Sequence, residues 1–260
     1  MTGDLNGKIV IVTGAHGGQG DAEARLIAAR GATVYAADIA EPEAAESAEV
    51  DAAPGSVQRV RLDVTSTVSW STLVERVVAR HGRIDALVNN AGIPFRARLG
   101  EVELADWDRV QTVNVTGALI GIQTAMPHLP PGSSIVNVGS VSALTGFHNV
   151  AYTVSKWALR GLSKVASTEL GPRGIRVNAV HPGFIETPMT ATSPPEFREA
   201  NRVQVPLGRV GVPADVASVV AFLVSDESSY LSGVDIPVDG GQTAHGGALA
   251  LARAIFGEES

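Results

Sequence analysis

Two residues in the stretch AYTVSKWALRGL, Tyr152 and Lys156, have the types and spacing needed for proton transfer. In a helix, four residues bring both side chains to one face, a single turn apart. Free tyrosine loses its proton near pH ~10, but an adjacent ammonium favours the phenolate and lowers that value. The pair therefore predicts a phenol able to act as acid or base at neutral pH. YxxxK can also be no more than a pair on a helix surface. With three Tyr and three Lys in 260 residues, random placement gives such a pair in roughly 3% of chains, so coincidence is a poor explanation. Lys is also scarce among the 20 basic residues, which makes this one less of a generic surface charge.

A second constellation is TGAHGGQG, residues 13–20, which follows an apolar run and precedes a helix containing Ala24, Leu26 and Ile27. Glycines at a strand-to-helix turn permit tight bends and let a pyrophosphate reach backbone N–H groups at the positive end of the helix. A glycine-rich turn alone is weak evidence, and Gly14, Gly17, Gly18 and Gly20 depart from the common GxGxxG spacing. Asp38 strengthens the reading. It ends the second apolar run, where an acid accepts hydrogen bonds from an adenosine ribose and repels a 2′-phosphate. The expected cofactor is therefore NAD rather than NADP. Asp38 could otherwise be a turn or N-cap aspartate.

To position these groups the chain alternates short β-branched runs with longer helix-period segments, the pattern of a parallel sheet covered on both faces. Strands are expected at Lys8–Thr13, Thr33–Asp38, Val57–Leu62, Ala86–Asn89, Ser134–Val138, Arg176–His181 and Asp235–Val238. The clearest helices are Gln19–Ala29, Val68–His81, Leu104–Met126, Val150–Leu170 and Pro213–Val224, the fourth stopped by Gly171 and Pro172. A chain of 260 residues that is 45% hydrophobic can bury one large α/β core. The net charge of -7 argues against nucleic acid, whose phosphates need a basic face. No cysteine is present, so there is no disulfide, thiolate nucleophile or Cys-based metal site, and no metal is expected. The N-terminus lacks a signal pattern, and polar residues interrupt the uncharged stretch between Arg109 and Lys156 too often for a membrane span. A cytoplasmic protein is expected.

With these pieces placed, the chain resembles the short-chain dehydrogenase/reductase family from about residue 5 to Gly241. The resemblance rests on TGAHGGQG, LDVT at 62–65, NNAG at 89–92, Asn114 in TVNVTGAL, Ser140 in IVNVGS, YTVSK, HPGFIETPM at 181–189 and the closing VDGG at 238–241. It implies a Rossmann-type doubly wound sheet of seven parallel strands, a nicotinamide cofactor and commonly a homotetramer. By position it makes Tyr152 the proton donor or acceptor. Lys156 then holds the nicotinamide ribose and lowers the Tyr152 pKa, Ser140 bonds the substrate oxygen, and Asn114 anchors a water leading from Lys156 to solvent. Ser142 is an alternative to Ser140. The cofactor would touch Gly14, Gly18, Gln19 and Gly20 at the turn, Asp38 at the ribose, and Asp63 with Val64 at the adenine. Asn90, Ala91, Gly92, Tyr152 and Lys156 would line it further along, and Pro182, Gly183, Ile185 and Thr187 would hold the carboxamide.

Departures from the family pattern include Gln19 in place of an aliphatic residue and Asp21 near the pyrophosphate, with the Asp21 side chain expected to point outward. The residues from Phe184 to Gly208 suggest a substrate lid. Beside Ser140 and Tyr152, the substrate walls are expected to include Leu144, Phe184 and Met189, with Phe95 and Phe147 as further candidates. No Arg/Lys cluster for a carboxylate, phosphate or carrier protein is evident in the sequence. A hydrophobic secondary alcohol or ketone fits best, and IVIVTG, ELGPRGIRVNAVHPG and DESSY resemble the bacterial hydroxysteroid dehydrogenase branch. The runner-up is a 3-oxoacyl carrier-protein reductase of the same family, and the third reading is a nucleotide-binding protein without catalysis. The expected oxidoreductase domain spans residues 1–245. The extension 246–260, with Leu249, Leu251, Ile255 and Phe256, is expected to pack on a neighbouring subunit near its lid.

Overall fold

Four consecutive apolar residues and a buried threonine, with two-residue alternation, build the first strand, β1 (Ile9–Thr13). Val10 and Val12 face one core, while Ile9 and Ile11 face another. Burial on both faces is what a central parallel strand requires. The structure, a computed structural model, describes residues 5–40, 50–52 and 54–257, with the side chains of residues 50–52 and of Met189 outside the description. After β1 come α1 (Gly18–Ala29), β2 (Thr33–Asp38), β3 (Val50–Ala52), β4 (Gly55–Arg61), α2 (Thr67–His81) and β5 (Ala86–Asn89). Next are α3 (Leu104–Gln111), α4 (Gly117–Ala125), β6 (Ser134–Val138), α5 (Val150–Leu170) and β7 (Arg176–Pro182). The chain then forms α6 (Pro188–Ala191), α7 (Pro195–Arg202), α8 (Pro213–Val224), β8 (Asp235–Val238) and α9 (Ala248–Phe256).

The sheet order is β3-β4-β2-β1-β5-β6-β7-β8. All seven expected strands are present and mutually parallel, in a Rossmann-type α/β fold. One feature was not expected: β3 pairs antiparallel with β4 at the sheet edge. Three residues are too short a run for periodicity to reveal. Residues of α1 and α8 close one core, around Ile27, Val34, Val136, Val216 and Leu223; residues of α2, α4 and α5 close the other, around Trp70, Leu73, Leu87, Ile135 and Leu170. The strand order reverses between β1 and β5. The carboxyl ends there open into a crevice, the usual ligand position in such sheets.

The helix expected over Leu104–Met126 is divided. A π-turn at Thr112–Thr116 separates α3 from α4, with the Gly117 N–H reaching the Thr112 carbonyl. Gly117 packs so closely on Val64 that a Cβ would meet it at 3.0 Å. The lid region is itself helical, carrying α6 and α7. Among the described residues no helix is long and apolar enough to cross a membrane, and no group of three or more His, Cys, Asp or Glu could hold a metal ion.

Candidate active site

The crevice is a cleft of about 1760 Å³ that runs from the glycine turn past Tyr152 and Lys156 to the lid and α9. At one end Gly14 and Gly18 take positive φ, +65° and +57°. Glycine adopts this region without the steric cost of a Cβ. A Cβ on Gly14 would lie 2.8 Å from Ala91 Cα, and one on Gly20 only 2.2 Å from the Gly14 carbonyl oxygen. Asn90 braces the same turn by donating to the carbonyls of Thr13 and Gly14, each at 3.0 Å. Gly14, Gly18 and Gln19 line the cleft, whereas Gly20 is buried beneath the turn and does not. The open N-terminus of α1 and the close-packed glycines fit a pyrophosphate.

Asp38, at the end of β2, also lines the cleft. It accepts from the His16 N–H at 3.1 Å and the Ala40 N–H at 3.2 Å. Four lone-pair sites on a carboxylate leave room for ribose hydroxyls. Asp21, as expected, turns aside: Arg59 and Arg25 hold its carboxylate at 2.6 and 2.7 Å. Asp63 and Val64 line the cleft, with Asp63 accepting from the Thr65 N–H at 2.9 Å and its hydroxyl at 2.7 Å. Those bonds hold the Asp63 carboxyl below its ordinary pKa. Asn90, Ala91, Gly92, Pro182, Gly183, Ile185 and Thr187 complete this wall. Thr187 sits opposite Gly18, whose Cβ would touch it at 3.4 Å. The residues present fit a dinucleotide.

Halfway along, α5 presents Tyr152 and Lys156 to the cleft beside Ser140, just past the end of β6. The Lys156 ammonium lies 5.6 Å from the centre of the Tyr152 ring and donates to the Val138 carbonyl at 2.8 Å. Burial lowers the Lys156 pKa to about 8. The sequence reading expected Lys156 to lower the Tyr152 pKa. Instead burial raises it above 10.0, with a hydrogen bond from Ser140 pulling the other way. The reason is physical: a desolvated phenol resists ionising, and the ammonium is spent on a carbonyl rather than on the phenol. Ser140 Oγ accepts from the Ser142 N–H at 3.1 Å, and its hydroxyl is directed to the Tyr152 phenol, which places both groups at one point of the cleft.

Asn114 lies in the π-turn, 1% exposed and outside the cleft lining. Its side chain accepts from the Ile93 N–H at 2.8 Å and donates to the Ile93 carbonyl at 3.1 Å and to Ser155 at 3.0 Å. Both amide hydrogens are used and Oδ1 accepts one bond, so the side chain anchors the strand-end loop directly. Only Gly92 separates it from Lys156: a Cβ there would lie 3.3 Å from Asn114 Oδ1 and 3.5 Å from Lys156 Nζ.

At the far end, Phe184 lines the cleft, Leu144 does not, and the Met189 side chain lies outside the described residues. Sequence reasoning missed Arg96, Phe197, Asn201, His245, Leu249 and Arg253, all on this wall. Phe197 and Asn201 share one face of α7, and Leu249 and Arg253 one face of α9, but nothing in the sequence says that these faces and Arg96 meet at one cleft. The tail expected to reach a neighbour lies against its own lid, as His245 meets the Gln204 carbonyl at 2.9 Å and Arg253 donates to the Val203 carbonyl.

A sequence model described as Enoyl-(Acyl carrier protein) reductase matches residues 14–243. The chain belongs to the short-chain dehydrogenase/reductase family. Its relatives in this family include the 3-oxoacyl-[acyl-carrier-protein] reductase of Thermotoga maritima, 44% identical with 91% of this chain and 98% of that protein aligned. The 3-alpha-(or 20-beta)-hydroxysteroid dehydrogenase of Mycobacterium tuberculosis is 40% identical, over 94% and 92%. The trans-4-hydroxycyclohexanecarboxylate dehydrogenase of Sinomonas cyclohexanicum is 39% identical, over 91% and 93%. This short-chain dehydrogenase/reductase is accordingly an oxidoreductase of the kind that acts on alcohols and ketones with a nicotinamide cofactor.

Proposed function

We propose that the protein is an NAD-dependent oxidoreductase that interconverts a hydrophobic secondary alcohol and its ketone, with Tyr152 as general acid/base. One observation carries the reading: Ser140, Tyr152 and Lys156 share a cleft with the glycine turn and with Asp38. When bound, the nicotinamide supplies or takes the hydride. The chain's own groups manage the proton. Tyr152 Oη gives its proton to the ketone oxygen or takes it from the alcohol, and Ser140 Oγ–H donates to that oxygen as negative charge builds there. Donors preplaced on such an oxygen in a water-poor site contribute most to the barrier. Lys156 holds the nicotinamide ribose hydroxyls, and Asn114 supports the path by which a proton passes from Lys156 to solvent.

Asp38 would hold the adenosine ribose, and no basic residue in the turn offers a 2′-phosphate a partner. The substrate end is walled by Phe147, Phe184, Phe197 and Leu249, which favour a bulky alicyclic alcohol. The names of the hydroxysteroid and hydroxycyclohexanecarboxylate relatives support that class. The 44% identity to a carrier-protein reductase favours a second reading, 3-oxoacyl reduction. Against it stand Asp38 and a net charge of -7, which repels an acidic carrier. A cytoplasmic homotetramer completes the proposal.

The deciding experiment compares NAD+ with NADP+, by NAD(P)H fluorescence, over steroids, terpenols, hydroxycyclohexanecarboxylates, short alcohols and hydroxyacyl thioesters. NAD-linked oxidation of a bulky secondary alcohol is the expected result. A strong NADP preference, or turnover of thioesters alone, would overturn it.

A further inference from the structure

Behind Ser140 lies a polar cluster, buried at its centre, that the proposed chemistry does not use. His181, on β7, is 0% exposed. Its Nδ1 lies 3.2 Å from the Ser140 main-chain oxygen and its Nε2 lies 3.0 Å from Asp235 Oδ1, on β8. Asp235 also pairs with Arg160 at 3.0 Å and Lys164 at 2.6 Å, both on α5. Arg160 continues to the Ala143 carbonyl at 3.2 Å. The short turn Ser140–Ala143 is thus held at its first carbonyl by His181 and at its last by Arg160, and both holders lean on one carboxylate. The fit around the ring is tight: a Cβ on Gly139 would lie 2.4 Å from His181 Nδ1.

We propose that His181 is a positioning residue for Ser140, its Nδ1–H fixing the Ser140 carbonyl while Asp235 fixes the ring and Arg160 fixes the far end of the turn. The consequence falls on the Ser140 hydroxyl. Its Oγ hangs from the same residue whose carbonyl is held, and a donor displaced by a fraction of an ångström loses much of its effect on a developing oxyanion. The inference rests on the proposed role of Ser140 for its kinetic consequence, but not for its structural one. Both partners of the ring are acceptors, so only the imidazolium donates to both. Burial lowers the His181 pKa while Asp235 raises it, and the test separates the two contacts without requiring the charge.

An Asn amide nitrogen can stand in for Nδ1, and a Gln amide nitrogen for Nε2. His181→Asn therefore keeps a donor for the Ser140 carbonyl and gives up Asp235, whereas His181→Gln does the reverse. The first readout is deuterium uptake of the 139–145 segment. There the Ser142 amide donates to Ser140 Oγ at 3.1 Å and the Ala143 amide donates to Ser140 O at 2.8 Å. In His181→Gln this segment should exchange about tenfold faster with the β6 and α5 segments unchanged, and His181→Asn should restore protection. The second readout is cyclohexanol oxidation with NAD+. In His181→Gln kcat should fall about tenfold with the KM for NAD+ unmoved, and the loss should vanish in a Ser140→Ala background.

Equal exchange in wild type and both variants, or a kinetic loss that is undiminished without Ser140, overturns the proposal. If the His181 variants do not fold, Arg160→Met at its partly exposed site releases the Ala143 carbonyl, and the same acceleration of 139–145 is expected; unchanged exchange there counts against the unit. Should the wild-type protein oxidise no alcohol, the oxidoreductase reading fails while the exchange data still decide whether His181 holds the turn.

Discussion

A phenol whose pKa is raised by burial is a better acid reservoir than base until something stabilises its anion. On the proposed reading Tyr152 gives a proton to a ketone more readily than it takes one from an alcohol in the bare cleft, and a bound cofactor's positive ring would favour the phenolate. Burial also brings the Lys156 pKa to about 8, near the working range. Tyr152→Phe removes the transferable proton but leaves the ring and the Lys156 contact with Val138 in place. Turnover should fall by about a thousandfold or more, the middle of the range for a general acid, while NADH affinity by fluorescence titration stays within about twofold. Full activity in that variant would end the proposed mechanism. The sharing of one cleft by Ser140, Tyr152 and Lys156 was legible because each lies in a short motif of fixed order. The wall residues Arg96, Phe197 and Arg253 were not, because only tertiary folding brings them to one cleft.

Among the elements, α1 combines the phosphate-facing N-terminus with a feature opposed to stability. Glu23 is 0% exposed, its two carboxylate oxygens have no hydrogen-bond partner among the described residues, and burial raises its pKa from 4.5 to about 8. The folded state therefore binds a proton that the unfolded state releases. Stability on this account is fully present below pH 4.5 and is lost as pH rises toward about 8, by roughly 1.4 kcal/mol per pH unit within that window. Glu23→Leu should raise the urea midpoint at pH 7.5 and flatten its dependence on pH between 5.5 and 8; an unchanged slope would show that Glu23 is not the titrating group. The sequence hides such a residue because Glu is a good helix former and Ala22, Ala24 and Arg25 around it do not tell which face is inward. By contrast β1 and α5 were readable from local pattern alone, since β1 is a β-branched run buried on both faces and α5 has Gly171 at its stop. The division of Leu104–Met126 at Thr112–Thr116 was unreadable, because a π-turn changes hydrogen bonding without interrupting the apolar period.

At the scale of the molecule, α5 faces two ways. Its inner side carries Tyr152 and Lys156, while its outer side leaves Val154, Trp157 and Val165 41%, 44% and 61% exposed around Gly161. Apolar groups at helical spacing, with a glycine that permits close approach, form a surface suited to another helix, which makes α5 the first face to test for the proposed homotetramer. The extension reaches the chain's own cleft, which Leu249 and Arg253 line. Removing residues 246–260 should raise the substrate KM about tenfold while NADH affinity is kept, because the wall it supplies lies at the substrate end. An unchanged KM would leave the tail without a part in substrate binding. The same cut should not alter the oligomer if α5 carries the contact. Trp157→Glu should alter it, since it removes an apolar ring from the outer face and puts there a charge that an α5 interface would have to desolvate. Sedimentation velocity should then show a smaller species than wild type, with thermal unfolding little changed in the isolated subunit. A Trp157→Glu protein that sediments as the wild type does would remove α5 from the interface, and the exposed Leu251, Ile255 and Phe256 of α9 would be the next face to test.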